Sequence, residues 1–440
     1  MYELLKTIMI EELEVEAGQV SPDASREDAG LDSLATFELS LALSQRLGVT
    51  IADEDLFGLR TLADIAAFLE KRTAGLPGSP GAPLSQAADR AEGREDAGLA
   101  RLLGGGDGVR PDRPAPAHPL ARNETPFQPP APVLDAITRA AAEANRYPDP
   151  FCGALRAALA RHYGISPDRV AVGAGSITLL QALLTVTAGP GAAVAYSWPS
   201  FDGYEVLADL AGFRTVRVPL AEDGHDLDAL AAAVDEHTRL VLLCNPNNPT
   251  GTASGEAELL RFLDAVPRTC LVVLDEAYCE YARDPGLGAR LHTSRPNLIV
   301  ARTFSKAYGL AGLRVGYLLA EPGLISRVHR MVMPLSVSDI AQAAAVASLA
   351  AEKELLCRVR ETAAERDRVR AALLALGFDV PPSEANFLWL PLGARAEEFA
   401  AACASAGVDV RPYPGDGVRV TTGTAADNDA FLAAAETNRP

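Results

Sequence analysis

No stretch of this chain approaches the roughly 20 consecutive apolar residues that a membrane-spanning helix needs, so membrane insertion is not expected. Paired cysteines are missing as well. The six present, Cys152, Cys244, Cys270, Cys279, Cys357 and Cys403, are scattered, with no CxxC and no His-rich segment. Neither a disulfide scaffold nor a structural zinc site is expected, and no metal is assigned. Positive charge is in short supply: 40 Lys and Arg stand against 58 Asp and Glu, a net charge of −18, which argues against a nucleic acid partner. Internal repeats are absent. The opening MYELLKTIMIEELEVE puts acids where a signal peptide would carry its apolar core, so a cytoplasmic protein is expected. What is there is ordinary globular composition, 48% hydrophobic and 22% charged, over 440 residues. That length predicts two or more domains with large cores.

The acidity is concentrated at the start, where residues 1–72 hold 15 acids and 6 bases. Leu4, Leu5, Ile8, Met9 and Leu13 recur at helical spacing and predict a helix over about 2–16. A second is predicted over 33–47, around Phe37, Leu41 and Leu43, with shorter ones near 53–56 and 62–71. The expectation for 1–72 is an all-α, four-helix acidic bundle. Residues 73–117 change character: LPGSPGAP and LLGGGDGVRPDRPAPAHP are rich in Pro and Gly, lack periodicity and read as a linker. As a flexible coil, about 40 residues reach on the order of 35 Å, enough to tether a mobile first domain.

Beyond residue 118 strand-like and helix-like pieces alternate. RVAVGAG, AAVAYSW, TRLVLLCNP, CLVVLDEAY, NLIVARTF and RVGYLLA are apolar runs, separated in several places by helical segments such as SITLLQALLTVT and ASGEAELLRFLDAV. That alternation predicts a large α/β domain over 118–333 with a mostly parallel sheet, including an N-terminal arm. Residues 334–440 open with a long Ala-rich helical stretch and then give short strands, NFLWL and GVRVTT, as a smaller C-terminal α/β domain would.

Two stretches carry candidate chemistry. In AGLDSLATFEL, Ser33 follows Asp32 at a predicted helix start. An N-capping serine is the ordinary use of that position. The second stretch is spread over the α/β region. Lys306 lies in TFSKAYGLAGLRVGY with Arg314 eight residues on, Asp275 and Tyr278 in LDEAY, Asn248 in NPNNPTG, and GAGSITLL joins a strand to a helix. In a parallel α/β sheet all four motifs fall beyond strand carboxyl ends, where ligands bind. A lysine amine condenses with an aldehyde cofactor, and pyridoxal phosphate is the common case. Asp275 can keep a pyridine nitrogen protonated, and Asn248 and Tyr278 can hydrogen-bond a ring hydroxyl. The Ser176 and Ile177 amides, with Thr303, Ser305 and Arg314, suit a phosphate. Phe201, in SWPSFDGY, can stack on a ring or serve as core. Singly each residue has a bland use: a solvated lysine, a capping aspartate, a Pro-rich turn. Their joint order is what points to a cofactor site.

On these motifs the first 72 residues resemble acyl and peptidyl carrier proteins, through Asp32-Ser33-Leu34. That resemblance implies a 4′-phosphopantetheine arm on Ser33, installed by a phosphopantetheinyl transferase and charged by an acyl-loading enzyme. Residues from about 118 to 438 resemble fold-type-I, class II aminotransferases, most closely the histidinol-phosphate aminotransferase group. ARNETPF supplies Asn123 and Glu124, NRYPDP supplies Tyr147, SEANFLWL supplies Asn386, and VRPYPGDGVRVTTGT supplies Arg411 and Arg419. The resemblance implies a homodimer in which Tyr147 reaches the cofactor phosphate of the other subunit. It also implies substrate contacts from Asn123, Glu124, Asn386, Arg411 and Arg419, the two arginines holding a carboxylate or phosphate. Ile177-Thr178 replaces the Asp-Glu common in that group, and Thr125 and Phe127 vary the N-terminal loop, so histidinol phosphate itself is not the expected substrate.

The expected function is a pyridoxal-phosphate-dependent aminotransferase that moves an amino group between a donor and an acyl or aminoacyl group tethered through Ser33, in natural-product assembly. Alternatives are a free amino acid aminotransferase, a decarboxylase or oxidase of the same fold, and a carrier whose second part is only a docking scaffold.

Overall fold

The computed structural model describes residues 116–440 and, of the first 73, all except 12, 14, 16–17, 26–27, 30, 32–35, 37–38, 41, 44–45, 48–50, 52–55, 57–58 and 60. Contacts divide the chain into two units, Met1–Asp89 and Arg90–Pro440.

In the first unit, α1 (Tyr2–Glu11) and α2 (Leu62–Thr73) are the complete helices. Leu5, Ile8 and Met9 of α1 and Leu62, Ile65 and Leu69 of α2 are fully buried, each set along one helical face. They share a core with Leu31, Leu39, Leu43 and Leu56. Thr61 and Asp64 cap α2 reciprocally: the Asp64 amide donates to Thr61 Oγ1 and the Thr61 amide to Asp64 Oδ2. α1 ends at Glu11, short of the predicted 16, and the Leu13 amide donates to the Ile8 carbonyl. Of the predicted 33–47 helix, residues 36, 39–40, 42–43 and 46–47 are helical. Ser33 lies outside the described residues.

The second unit is built on a seven-stranded sheet: β2 (Val170–Gly173), β3 (Ala193–Trp198), β4 (Arg214–Pro219), β5 (Thr238–Cys244), β6 (Leu271–Asp275), β7 (Leu298–Thr303) and β8 (Gly316–Leu319), in spatial order β2-β8-β7-β6-β5-β3-β4. All neighbours are parallel except β8, which runs antiparallel between β2 and β7. Central strands such as LVVLD and LIVART are apolar because helices cover both faces. β4, RTVRVP, was not anticipated. It is an edge strand, half polar and ending in Pro, so it lacks the apolar signature of its neighbours.

The predicted long Ala-rich helix is two, α7 (Asp339–Ala350) and α8 (Glu352–Ala375), in the numbering α3 (Ala131–Ala141), α4 (Gly153–Tyr163), α5 (Ser176–Thr187), α6 (Gly203–Leu210). The packing does not divide at the expected 333/334 boundary. α7 buries Ala341, Ala344 and Ala345 with Val133 of α3, Leu155 of α4 and the β2/β8 edge of the large sheet. The last turns of α8, through Val369 and Leu373, instead join the core of a three-stranded antiparallel sheet of β9 (Phe387–Leu390), β11 (Arg411–Tyr413) and β12 (Gly417–Thr421). The N-terminal arm joins that C-terminal layer too: β1 (His118–Pro119) pairs with β10 (Val408–Asp409), and Leu120 packs in the same core. Among the described residues, no helix is long and apolar enough to cross a membrane.

Candidate active site

Register aligns the strand ends. Cys244 of β5 lies opposite Asp275 of β6, and Asp275 opposite Ala301 of β7, so Asn248, Asp275 and the 303–306 turn emerge at one edge of the sheet. Thr303 and Gly173 both face Gly316, which brings the start of α5 and the β8 entry beside them.

The small residues there are required by space. Gly175, at φ 82°, precedes α5, and a Cβ on it would sit 2.6 Å from Arg314 Nη2. A Cβ on Gly316 would strike the Ser176 backbone nitrogen. The result is a cradle of first-turn amides beside a guanidinium, with both the helix dipole and the charge favouring a phosphate. Arg314 Nη1 donates to Ser305 Oγ at 3.3 Å, and Thr303 Oγ1 donates to Ser305 Oγ at 2.9 Å. Thr303 is thus engaged in orienting Ser305.

Asp275 is 4% exposed. Its Oδ2 accepts from the Tyr204 hydroxyl at 2.9 Å, while Oδ1 is buried with no hydrogen-bond partner. Burial pushes its carboxyl up to about 6, against the pull of the Tyr204 hydrogen bond. A cation donor at Oδ1 would complete this group. Lys306 is half-buried, with Nζ donating to the Arg122 carbonyl at 3.2 Å and standing 5.8 Å from the Tyr278 ring centre. Burial, then the Arg419 charge, bring its amine down to about 8; Glu124 opposes them. Phe201 packs edge-on against Tyr204 at 5.5 Å.

On the other side, Arg419 is 7% exposed. Its Nη1 donates to Asn248 Oδ1 at 2.6 Å and to the Tyr413 hydroxyl at 3.3 Å, and Nη2 donates to the Ala121 carbonyl at 2.5 Å. Its Nε has no partner. Asn386 Nδ2 donates to the Asn123 carbonyl, Asn123 Nδ2 to the Tyr278 hydroxyl, and Asn386 Oδ1 is buried without a partner.

The structure links Asn386, Asn123 and Tyr278 by hydrogen bonds, pairs Asn248 with Arg419, and sets Lys306 beside Tyr278 and within the fields of Arg419 and Asp275, with Ser176, Ile177, Ser305 and Arg314 at the cradle. Arg411, expected to share a ligand with Arg419, faces a carboxylate of the fold. Its Nη2 is already 2.8 Å from Asp202 Oδ2. Tyr147 is 87% exposed on the loop after α3. Sequence reading missed Tyr204, Asp202 and Tyr413. Tyr204 lies in the first turn of α6, where a tyrosine reads as core.

Residues 117–434 match the family model for aminotransferase class I and II, and residues 3–69 match that for a phosphopantetheine attachment site. An aromatic amino acid aminotransferase of Thermobifida fusca is 58% identical over 320 residues, covering 72% of this chain and 89% of the relative. Another of that description, from Rhodococcus jostii, is 55% identical over 315 residues, covering 71% and 88%. Among solved structures, histidinol-phosphate aminotransferase from Sinorhizobium meliloti in complex with pyridoxal-5′-phosphate superposes with a TM-score of 0.69 at 34% identity, over 83% of this chain and 95% of that one.

Proposed function

The chain belongs to the class I and II aminotransferase family, and from that premise we propose that it exchanges the amino group of a free α-amino acid with an aromatic side chain against a 2-oxo acid. It is a pyridoxal-phosphate-dependent enzyme carrying a phosphopantetheine carrier domain. The partnerless Asp275 Oδ1 and the cradle at Gly175 and Gly316 fit that cofactor.

One observation carries the substrate reading. Arg419 is a buried guanidinium whose hydrogen-bond acceptors, Asn248 Oδ1, the Tyr413 hydroxyl and the Ala121 carbonyl, are all uncharged. A buried cation without a counter-charge is costly, and a substrate carboxylate supplies one with bidentate geometry. A thioester has no such charge. The aromatic relatives fit a side chain that brings no second charge.

When bound, pyridoxal phosphate supplies an aldehyde to receive the amino group and a protonated ring that withdraws electron density from the substrate α-carbon. Asp275 would hold the proton on the ring nitrogen. Asn248 and Tyr278 would orient the ring hydroxyl side, Phe201 would back the ring, and the Ser176 and Ile177 amides with Ser305 and Arg314 would hold the phosphate. Lys306, with an amine near 8, carries a proton to and from the α-carbon side of the bound substrate. Asn123, Glu124 and Asn386 frame the substrate, and Tyr147 completes the partner subunit's cradle in a homodimer.

The carrier favours a second reading, in which Ser33 bears the arm and the group aminated or deaminated is tethered to it. Mixing the cofactor-loaded protein with free phenylalanine, and separately with Ser33 charged as the phenylalanyl thioester, separates the two by the cofactor's absorbance change. Free phenylalanine alone is expected to react. Reaction of the thioester alone would establish the tethered reading, and release of carbon dioxide or peroxide would establish a decarboxylase or oxidase.

A further inference from the structure

Arg411 and Arg419 are direct register partners on β11 and β12, where like charges oppose each other unfavourably. Both surround one ring: the guanidinium carbons lie 5.8 Å and 6.0 Å from the Tyr413 ring centre. The fold treats the two cations differently. Arg411 meets a carboxylate, with Nη2 2.8 Å from Asp202 Oδ2 and the two side chains 15% and 14% exposed. Arg419 has uncharged acceptors, as above. Asp202 directly follows Phe201 and precedes α6, whose Tyr204 holds Asp275, so this carboxylate is anchored to the wall of the site.

We propose that Asp202 determines side-chain specificity by neutralising Arg411. Arg411 is then already matched, and Arg419, which meets only uncharged acceptors, is left for an amino acid whose single negative charge is its α-carboxylate. A second carboxylate, as in glutamate or aspartate, enters against Asp202 and is held only by drawing Arg411 away from it. This deepens the free-substrate reading and rests on the assignment of Arg419 to the α-carboxylate. Asp202 acts through Arg411 and is a positioning residue in this sense.

The competing account is a latch, in which the pair merely ties the loop after β3 to the C-terminal sheet. Steady-state kinetics of the full-length, cofactor-loaded protein with phenylalanine and glutamate as donors distinguish the two. The wild-type protein is expected to favour phenylalanine in kcat/KM. Asp202→Asn is expected to raise the glutamate-to-phenylalanine ratio of kcat/KM about tenfold, through a lower KM for glutamate. Arg411→Gln is expected to lower that ratio further, and it serves the test should Asp202→Asn not fold. Equal loss for both donors in either variant overturns the proposal in favour of the latch while leaving the free-substrate reading intact. Reaction of neither free amino acid, with turnover of the carrier thioester, overturns both.

Discussion

Asp275 and Glu276 are adjacent on the end of one strand, yet their surroundings are opposites. Glu276 is complete: Oε2 accepts from Arg302 Nε and Nη2 at 2.8 and 2.6 Å, and Oε1 accepts from the Gly288 amide. Arg302 also donates to the Tyr163 hydroxyl and the Pro285 carbonyl. Asp275, facing the other way, keeps an oxygen without a partner, and Arg419 and Asn386 nearby each keep a polar atom unmatched. Successive strand residues point to opposite faces, so one turn of the chain serves a closed network and an open one. Burial is common to both carboxylates; what separates them is whether the fold itself supplies all their partners.

The contrast predicts different losses on the two sides. Lys306→Ala should cut turnover by at least about 10³-fold with little change in unfolding midpoint. Arg302→Met should do the reverse, costing about 3–5 kcal/mol in denaturant unfolding, because it strands Glu276 as an unpaired buried charge. A destabilised Lys306→Ala or an undisturbed Arg302→Met would break the comparison.

Asp275→Asn sharpens it. The folded carboxyl titrates near 6, above its ordinary value, so its ionised form penalises folding above that pH and not below about 4. The cofactor-free variant should therefore be more stable than wild type by up to about 3 kcal/mol at pH 8, with the gain vanishing near pH 3.5. Activity should be lost all the same. A gain that does not change with pH would refute the assignment of strain to this carboxylate.

Arg419→Gln should lower kcat/KM for phenylalanine by about thirtyfold, mostly through KM, and hardly affect phenethylamine, which lacks the carboxylate. A further effect is in pH. Neutral Lys306 accumulates as pH rises to about 8, so cofactor uptake by the apoprotein should accelerate about tenfold per pH unit below that point and level off above it.

Much of the site was legible because its chemistry is local to strand ends. Lys306, Asp275, Asn248 and the GAGS turn each follow an apolar run, and a parallel sheet brings such ends to one edge. Tyr204 was not legible in the same way, since a tyrosine inside an amphipathic helix reads as core until the carboxylate beneath it is known. β4 was hidden by its edge position, and the break between α7 and α8 by the uniform helix propensity of alanine, which continues straight through Ala351.

The sequence by itself determined that a β/α alternation follows an acidic helical segment, and that a lysine, an aspartate and an asparagine share a sheet edge. Periodicity and strand-end spacing are short-range signals, carried by neighbouring residues. Tertiary structure alone decided that Arg411 is matched to Asp202, 209 residues away, while Arg419 meets only uncharged acceptors. It alone placed Leu120 in the core of the C-terminal layer. Both outcomes depend on which surfaces meet when the sheets pack, and side-chain pairing across such distances leaves no periodic trace along the chain.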